Sequence, residues 1–337
     1  MLSLNDLKSK LADQQQKIVI TTHYKPDGDA MGSSLAVFHW LKNKGHQVNL
    51  IVPSDYPSFL FWMPGQNEAI IYTEKREESD RLIAEADLIF CLDFNHLSRI
   101  HEMSDAVRAS KGLKVMIDHH LAPEGFDDIR HWDSSSAATA QLVYDLIVNQ
   151  LNDRASIGPE IATSLYTGIM TDTGSFRFSS TTAQVHLIVA DLISLGAENW
   201  KIHEHVFNSS TESRLKFLGF CLLNRLEVIP EYNTAIFAVK AEDLKLFSIS
   251  TGDTEGLVNY ALSVSGIRLA ALIIDRGERI KLSLRSIGEI PCNEICARYF
   301  QGGGHKNASG GQSTESLPAV LDTFKSILPE YKNLLTT

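Results

Sequence analysis

Cysteine is scarce: 4 residues in a chain of 337. Cys91 and Cys221 stand alone, and only Cys292 and Cys296 are close, with three residues between them. A structural zinc would need a second pair or histidines at ligand spacing, and neither is present. All four thiols are therefore read as reduced and structural. Long apolar runs are also missing. None approaches the roughly eighteen residues that a transmembrane helix needs. The stretch MLSLNDLKSKLADQQQ is polar and amphipathic, without the apolar core and small-residue cleavage site of a signal peptide. A cytoplasmic protein with no membrane partner is the expectation. Basic residues are in deficit, 31 Lys and Arg against 41 Asp and Glu, for a formal charge of −10. That excludes an electrostatic grip on long nucleic acid. A small phosphorylated substrate held by a few local charges stays open. Repeats and low-complexity tracts are absent.

The chain does have enough apolar residues, 44% against 21% charged, for a globular protein, and enough length for two domains. Its first half alternates strand-like and helix-like segments. KIVITTH (17–23), HQVNLIVPS (46–54), ADLIFCLDF (86–94) and LKVMIDHH (113–120) are short and apolar. Three of them end in ionisable residues. This pattern predicts central strands of a doubly wound parallel α/β sheet. Residues 29–44, 135–150, 159–174 and 181–196 show helical spacing. Residues 199–224 are more polar helices and read as a connector. Beyond 225, two hairpins, turning near Asn233 and at Arg276-Gly277, predict a smaller mixed α/β domain. The glycine run 302–304 reads as a local loop.

Ligands bind beyond the carboxyl ends of such strands. His23, Asp27 and Asp29 leave the first, Asp93 the third, and Asp118, His119 and His120 the fourth. Gly28, between two aspartates, reads as the hinge of a tight bend. Taken singly, each acid has an ordinary reading as a turn or cap residue, as does Asp172 in MTDTGSF. Together they would repel one another without a counter-charge. Asp27, Asp29, Asp93 and Asp172 with His23 and His119 form an oxygen and imidazole set that suits manganese, magnesium or iron. Four carboxylates carry about −4, so two divalent ions are needed to balance them. Arg99, Arg177 and Phe176 lie near these motifs, and Phe176 is read as packing. His96, His101, His203 and His205 are read as surface residues.

H-x-x-x-D-x-D at 23–29, the isolated Asp93, D-H-H at 118–120 and TDTGSFRF around Asp172 resemble the successive motifs of the DHH phosphoesterase family. GGGHKNASGG (302–311) and KLSLRS (281–286) resemble the family's associated substrate-binding domain. The resemblance implies a catalytic domain over 1–190, a helical connector over 191–224 and a substrate domain over 225–337. It implies that His23, Asp27 and Asp93 hold one ion, and that Asp29, Asp93, His119 and Asp172 hold the other, with Asp93 bridging. His120 would contact the scissile phosphate, and Asp118 would orient a histidine. Arg285, Ser286, Gly302, Gly303, Gly304 and His305 would bind substrate, with Asn307 and Ser309 as weaker candidates. The ions would be Mn2+, with Mg2+ as the alternative. The subgroup resembled cuts RNAs a few nucleotides long and removes the 3′-phosphate of 3′-phosphoadenosine 5′-phosphate. The implied chemistry is hydrolysis by a water activated between two ions, with no covalent phospho-enzyme. A phosphodiesterase for cyclic or linear dinucleotides (c-di-AMP or pApA type) is the alternative within the family, and a non-catalytic nucleotide sensor is the alternative outside enzymes. A homodimer is expected from the resemblance alone.

Overall fold

Lys17–Thr22 (β1), Gln47–Val52 (β2), Ile70–Ile71 (β3), Leu88–Leu92 (β4), Leu113–Asp118 (β5) and Ile129–Trp132 (β6) pair side by side in the order β3-β2-β1-β4-β5-β6. Every pairing is parallel. Side chains alternate between the faces of a strand, so a strand covered on both faces must be apolar throughout. On β1, Ile18 and Ile20 enter one core while Val19 enters the other. On β4, Leu88, Phe90 and Leu92 oppose Ile89 and Cys91. The protein is described from a computed structural model covering residues 2–336.

Leu4–Asp13 (α1), Gly28–Asn43 (α2), Thr139–Asp145 (α5), Pro159–Asp172 (α6), Ala183–Ser194 (α7) and Asn199–Phe207 (α8) contribute to the first core. Arg76–Glu85 (α3) and Ser104–Ala109 (α4) close the second. The strand order reverses between β1 and β4, which opens a crevice at their carboxyl ends. Strands β3 and β6 are short edge strands that the apolar-run pattern does not reveal.

Helices α2 and α6 pack at glycine. A Cβ on Gly32 would stand 2.6 Å from the Ser164 carbonyl oxygen, and one on Gly28 would stand 2.4 Å from Thr171 Oγ1. Gly28 is thus the first residue of α2 and a contact point, not the hinge of a bend. The helix expected from 135 begins only at Thr139, and Leu146–Gln150 is a single π-helical turn.

Contacts divide the chain between Ser209 and Ser210. The segment read as a connector therefore splits. Helix α8 packs into the first unit, and Glu212–Asn224 (α9) packs into the second through Phe217 and Cys221. In the second unit, Leu226–Ile229 (β7), Thr234–Val239 (β8), Leu269–Asp275 (β9), Ile280–Ser286 (β10), Gly303–His305 (β11) and Ala308–Ser313 (β12) form a mixed sheet in the order β11-β12-β10-β9-β8-β7. Only β8 and β9 are parallel. Both expected hairpins are present, and Asn233 turns the first with φ 42°. The glycine run, however, is not a loop. Gly303, Gly304 and His305 pair with Gly310, Ser309 and Ala308. The absence of side chains permits this approach, since a Cβ on Gly302 would stand 2.0 Å from the Gly310 carbonyl oxygen.

All four cysteines are buried as free thiols. Burial raises the thiol pKa of Cys91, takes Cys292 up to about 11, and takes Cys221 and Cys296 up to about 12. A disulfide-exchange reagent should therefore label the native protein at least ~100-fold more slowly than the guanidinium-unfolded chain. Rapid release of chromophore from the native protein would contradict this.

Candidate metal centre

The turn after β1 places the His23 imidazole with Nδ1 3.0 Å from the Tyr24 carbonyl oxygen. His119, just beyond β5, has Nδ1 3.0 Å from the Ser136 carbonyl oxygen. A carbonyl can only accept, so each ring, in its neutral form, carries its proton on Nδ1 and its lone pair on Nε2. Those two Nε2 atoms meet the same carboxylate. His23 Nε2 lies 3.4 Å from Asp93 Oδ2, and His119 Nε2 lies 3.6 Å from Asp93 Oδ1. His23 Nε2 is also 3.8 Å from Asp27 Oδ1. His119 Nε2 is 3.4 Å from Asp172 Oδ2 and 3.9 Å from Asp29 Oδ2. The other five expected ligand residues therefore gather around Asp93, and Asp27 and Asp29 lie near different histidines.

Local structure explains how each acid is held. Asp27 caps α2, accepting the Asp29 and Ala30 amides at 3.1 Å each. Asp29 sits in the first turn of α2 and accepts the Thr139 and Ala140 amides at 2.6 and 2.9 Å. Those amides open α5, so the positive end of a helix faces a buried anion. Asp93 takes φ 63°, a left-handed conformation that aspartate tolerates, while its amide still donates to the Ile117 carbonyl at 3.1 Å. The Thr139 hydroxyl donates to Asp93 Oδ1 at 2.9 Å. Asp172 ends α6, with its side chain 31% exposed.

Electrostatics show what this donor set needs. Burial, then the charges of Asp93, Asp172 and Asp27, push the Asp29 carboxyl well above the usual range. Burial disfavours protonation of His23, but Asp27 and Asp93 outweigh it and raise its pKa to about 10. The pocket is short of positive charge. Its nitrogen–oxygen separations exceed a hydrogen bond. They match the ~3.0–3.9 Å expected between two ligands that each hold one ion at ~2.1 Å. His23, Asp27 and Asp93 offer one atom each within 4.8 Å of one another, as do Asp29, Asp93 and His119. The residues present fit two divalent cations that share Asp93.

Asp118 is fully buried and accepts from His120, whose Nδ1 lies 2.8 Å from Asp118 Oδ1. Burial, with the Asp93 charge beside it, raises Asp118 to about 6. The resemblance expects Asp118 to orient a histidine, and the histidine it touches is His120.

In the second unit, cross-strand pairing sets His305 opposite Ala308 and Ala308 opposite Arg285, one row across three strands. Lys281 and Ser283 share that face of β10 with Arg285 by alternation. Ser286 faces the other way and is committed internally. Its hydroxyl donates to the Ile290 carbonyl at 2.8 Å and accepts from Asn307 Nδ2 at 2.8 Å. Asn307 also donates to the Gly288 carbonyl, so Ser286 and Asn307 tie the hairpin turn down. The Gly302 amide donates to the Cys296 carbonyl.

Several residues in these contacts carry no sequence motif. Thr139 and Ser136 hold Asp29, Asp93 and His119, and the only hint was a serine-rich stretch before a helix. His203 is half-buried, not a surface residue. Its Nε2 meets Ser175 Oγ at 3.1 Å and its Nδ1 meets the Asn199 carbonyl at 2.8 Å. Gly174, Ser175 and Phe176 all have positive φ (57°, 62° and 64°), a left-handed turn directly after Asp172 and Thr173. Phe176 packs against Tyr166 and His203.

A family model described as the DHH family, N-terminal domain, matches residues 17–169, and one described as the DHHA1 domain matches residues 237–330. The chain is 31% identical to a bifunctional oligoribonuclease and PAP phosphatase of Thermus thermophilus over 295 residues, covering 87% of this chain and 83% of that protein. It is 26% identical to the protein of the same description from Bacillus subtilis, covering 94% and 96%. Among solved structures it is similar to an exopolyphosphatase-related protein from Bacteroides fragilis. That match has a TM-score of 0.93 and 42% identity, covering 99% of this chain and 98% of the other.

Proposed function

Because the chain belongs to the DHH family, we propose that it is a divalent-metal-dependent phosphoesterase that hydrolyses short oligoribonucleotides and 3′-phosphoadenosine 5′-phosphate. The oligoribonuclease and PAP phosphatase descriptions of its Thermus and Bacillus relatives support the substrates. The observation that carries the reading is Asp93, with one oxygen toward His23 and the other toward His119.

His23, Asp27 and Asp93 would hold one ion, and Asp29, Asp93, His119 and Asp172 the other. Manganese suits this oxygen and imidazole set, with magnesium as the alternative. When bound, such a pair supplies a water of lowered pKa and offsets charge on phosphoryl oxygens. The protein's own part is positional. Asp118 fixes the His120 ring through Nδ1, which leaves Nε2 to steady a phosphoryl oxygen. The amides of Thr139 and Ala140 and the Thr139 hydroxyl keep Asp29 and Asp93 in register. Arg285 and His305, above a floor of glycine and alanine, recognise the substrate, and Gly303, on the same face as His305, keeps that floor low. Ser286 contributes by holding the hairpin.

A substrate panel with added manganese tests this reading. A dinucleotide and 3′-phosphoadenosine 5′-phosphate should be hydrolysed in preference to a cyclic dinucleotide, pyrophosphate or polyphosphate. Preference for the cyclic dinucleotide would favour the signalling phosphodiesterase, and no turnover of any substrate with intact binding would favour the sensor. Arg285→Ala should raise KM by ~10- to 100-fold while kcat changes less. A loss confined to kcat would remove Arg285 from substrate recognition.

A further inference from the structure

Leu97–Met103 forms a 3-10 segment that follows Asp93, and Arg99 lies in its middle. The Arg99 carbonyl accepts the Tyr24 amide at 2.7 Å. Tyr24 is the residue whose own carbonyl accepts from His23 Nδ1. Two residues on, His101 takes φ 49°, ψ −123°, and its ring stacks on Tyr24 with centroids 4.1 Å apart and planes at 26°. A non-glycine residue held in that region is strained and persists only where its surroundings enforce it. A hydrogen bond at Arg99 itself and a ring stack at His101 therefore clamp this segment to the turn that carries His23.

The Arg99 side chain is half-buried. Among the described residues its guanidinium makes no hydrogen bond and no ion pair. Three other arginines of the chain behave differently: Arg130, Arg154 and Arg225 each clasp one aspartate with two nitrogens. Yet the Arg99 charge is close enough to bear on His23, Asp27 and Asp118. Here a guanidinium bears on the carboxylates of Asp27 and Asp118 and pairs with neither. Its planar fork of N–H donors matches phosphoryl oxygens.

We propose that Arg99 is a catalytic residue that binds non-bridging oxygens of the phosphoryl group undergoing hydrolysis, an inference that rests on the phosphoesterase reading above. Because its backbone is pinned to the His23 turn, Arg99 brings fixed positive charge to where negative charge builds, without contributing a metal ligand.

The test uses inorganic phosphate as the probe. Calorimetric titration of the manganese-loaded protein should show phosphate binding at least ~10-fold weaker in Arg99→Ala than in the wild type. Turnover of a dinucleotide should fall by ~100-fold in kcat/KM. Manganese stoichiometry and affinity should be unchanged, and added guanidinium ion at low concentration should restore part of the activity of Arg99→Ala. Arg99→Lys, which keeps the charge and guards against misfolding, should recover only part of the phosphate affinity. Unchanged phosphate binding in Arg99→Ala would overturn the proposal. So would wild-type behaviour of Arg99→Lys, or a loss of manganese parallel to the loss of phosphate. If the wild type hydrolyses no phosphate ester but phosphate binding still depends on Arg99, the phosphoesterase reading fails and the phosphate contact stands. If the wild type is active but phosphate binding ignores Arg99, the proposal fails and the reading stands.

Discussion

Asp93→Asn should lower turnover of every substrate by ~10³-fold or more, which corresponds to ~4 kcal/mol of transition-state stabilisation. The expectation follows from position. The two Asp93 oxygens face His23 and His119 separately, so one substitution weakens both halves of the centre at once. Asparagine is close in size and tolerates the left-handed φ of 63° at this position, so the fold should survive. Manganese titration followed by electron paramagnetic resonance should show loss of tight binding, with an unchanged circular dichroism spectrum. All activities should fall together. If one substrate keeps wild-type turnover, or manganese still binds tightly at full stoichiometry, Asp93 is not the shared ligand.

Gly168→Val should damage the centre from outside it. Even a bare Cβ at 168 would stand 2.6 Å from the Ala140 Cβ and 2.8 Å from Asp29 Oδ1. Real Cβ atoms do not come that close, so α5 and α6 must separate and the Asp29 carboxylate must move. Overpacking of this kind costs ~1–3 kcal/mol of stability. A misplacement of about 1 Å in a catalytic constellation costs ~10²-fold in rate. Thermal denaturation and turnover should therefore both report the change, with manganese affinity reduced. Gly219→Ala is the matched control. Gly219 lies exposed within α9 with nothing within 4 Å of an added Cβ, so this substitution should leave activity unchanged and stabilise by ~0.5–1 kcal/mol. Wild-type activity in Gly168→Val would show that the helix spacing does not set the position of Asp29.

Much of this protein is legible along the chain because the signals are local. An apolar run ending in ionisable residues marks a buried parallel strand and its polar end, which is why β1, β4 and β5 are legible together with His23, Asp93, His119 and His120. Edge strands β3 and β6 are shorter and lack that signature. The chemical types of His23, Asp27, Asp29, Asp93 and His119, and the need for a balancing charge, follow from the sequence just beyond those ends, whereas Asp172 ends a helix.

Other features depend on residues distant in sequence. Asp29 is held by amides 110 and 111 residues away. That contact exists because glycines let α2 and α6 approach to within the radius of a missing side chain, and because the helix expected from 135 starts at Thr139 instead. The glycine run became paired strands because Gly302–Gly304 and Gly310 lie on facing segments, a relation between positions that periodicity does not carry. Sequence alone determined which groups were available and that their negative charge calls for a balancing one. Tertiary packing decided which oxygen faces which nitrogen, because those separations are fixed by how closely distant backbones can approach.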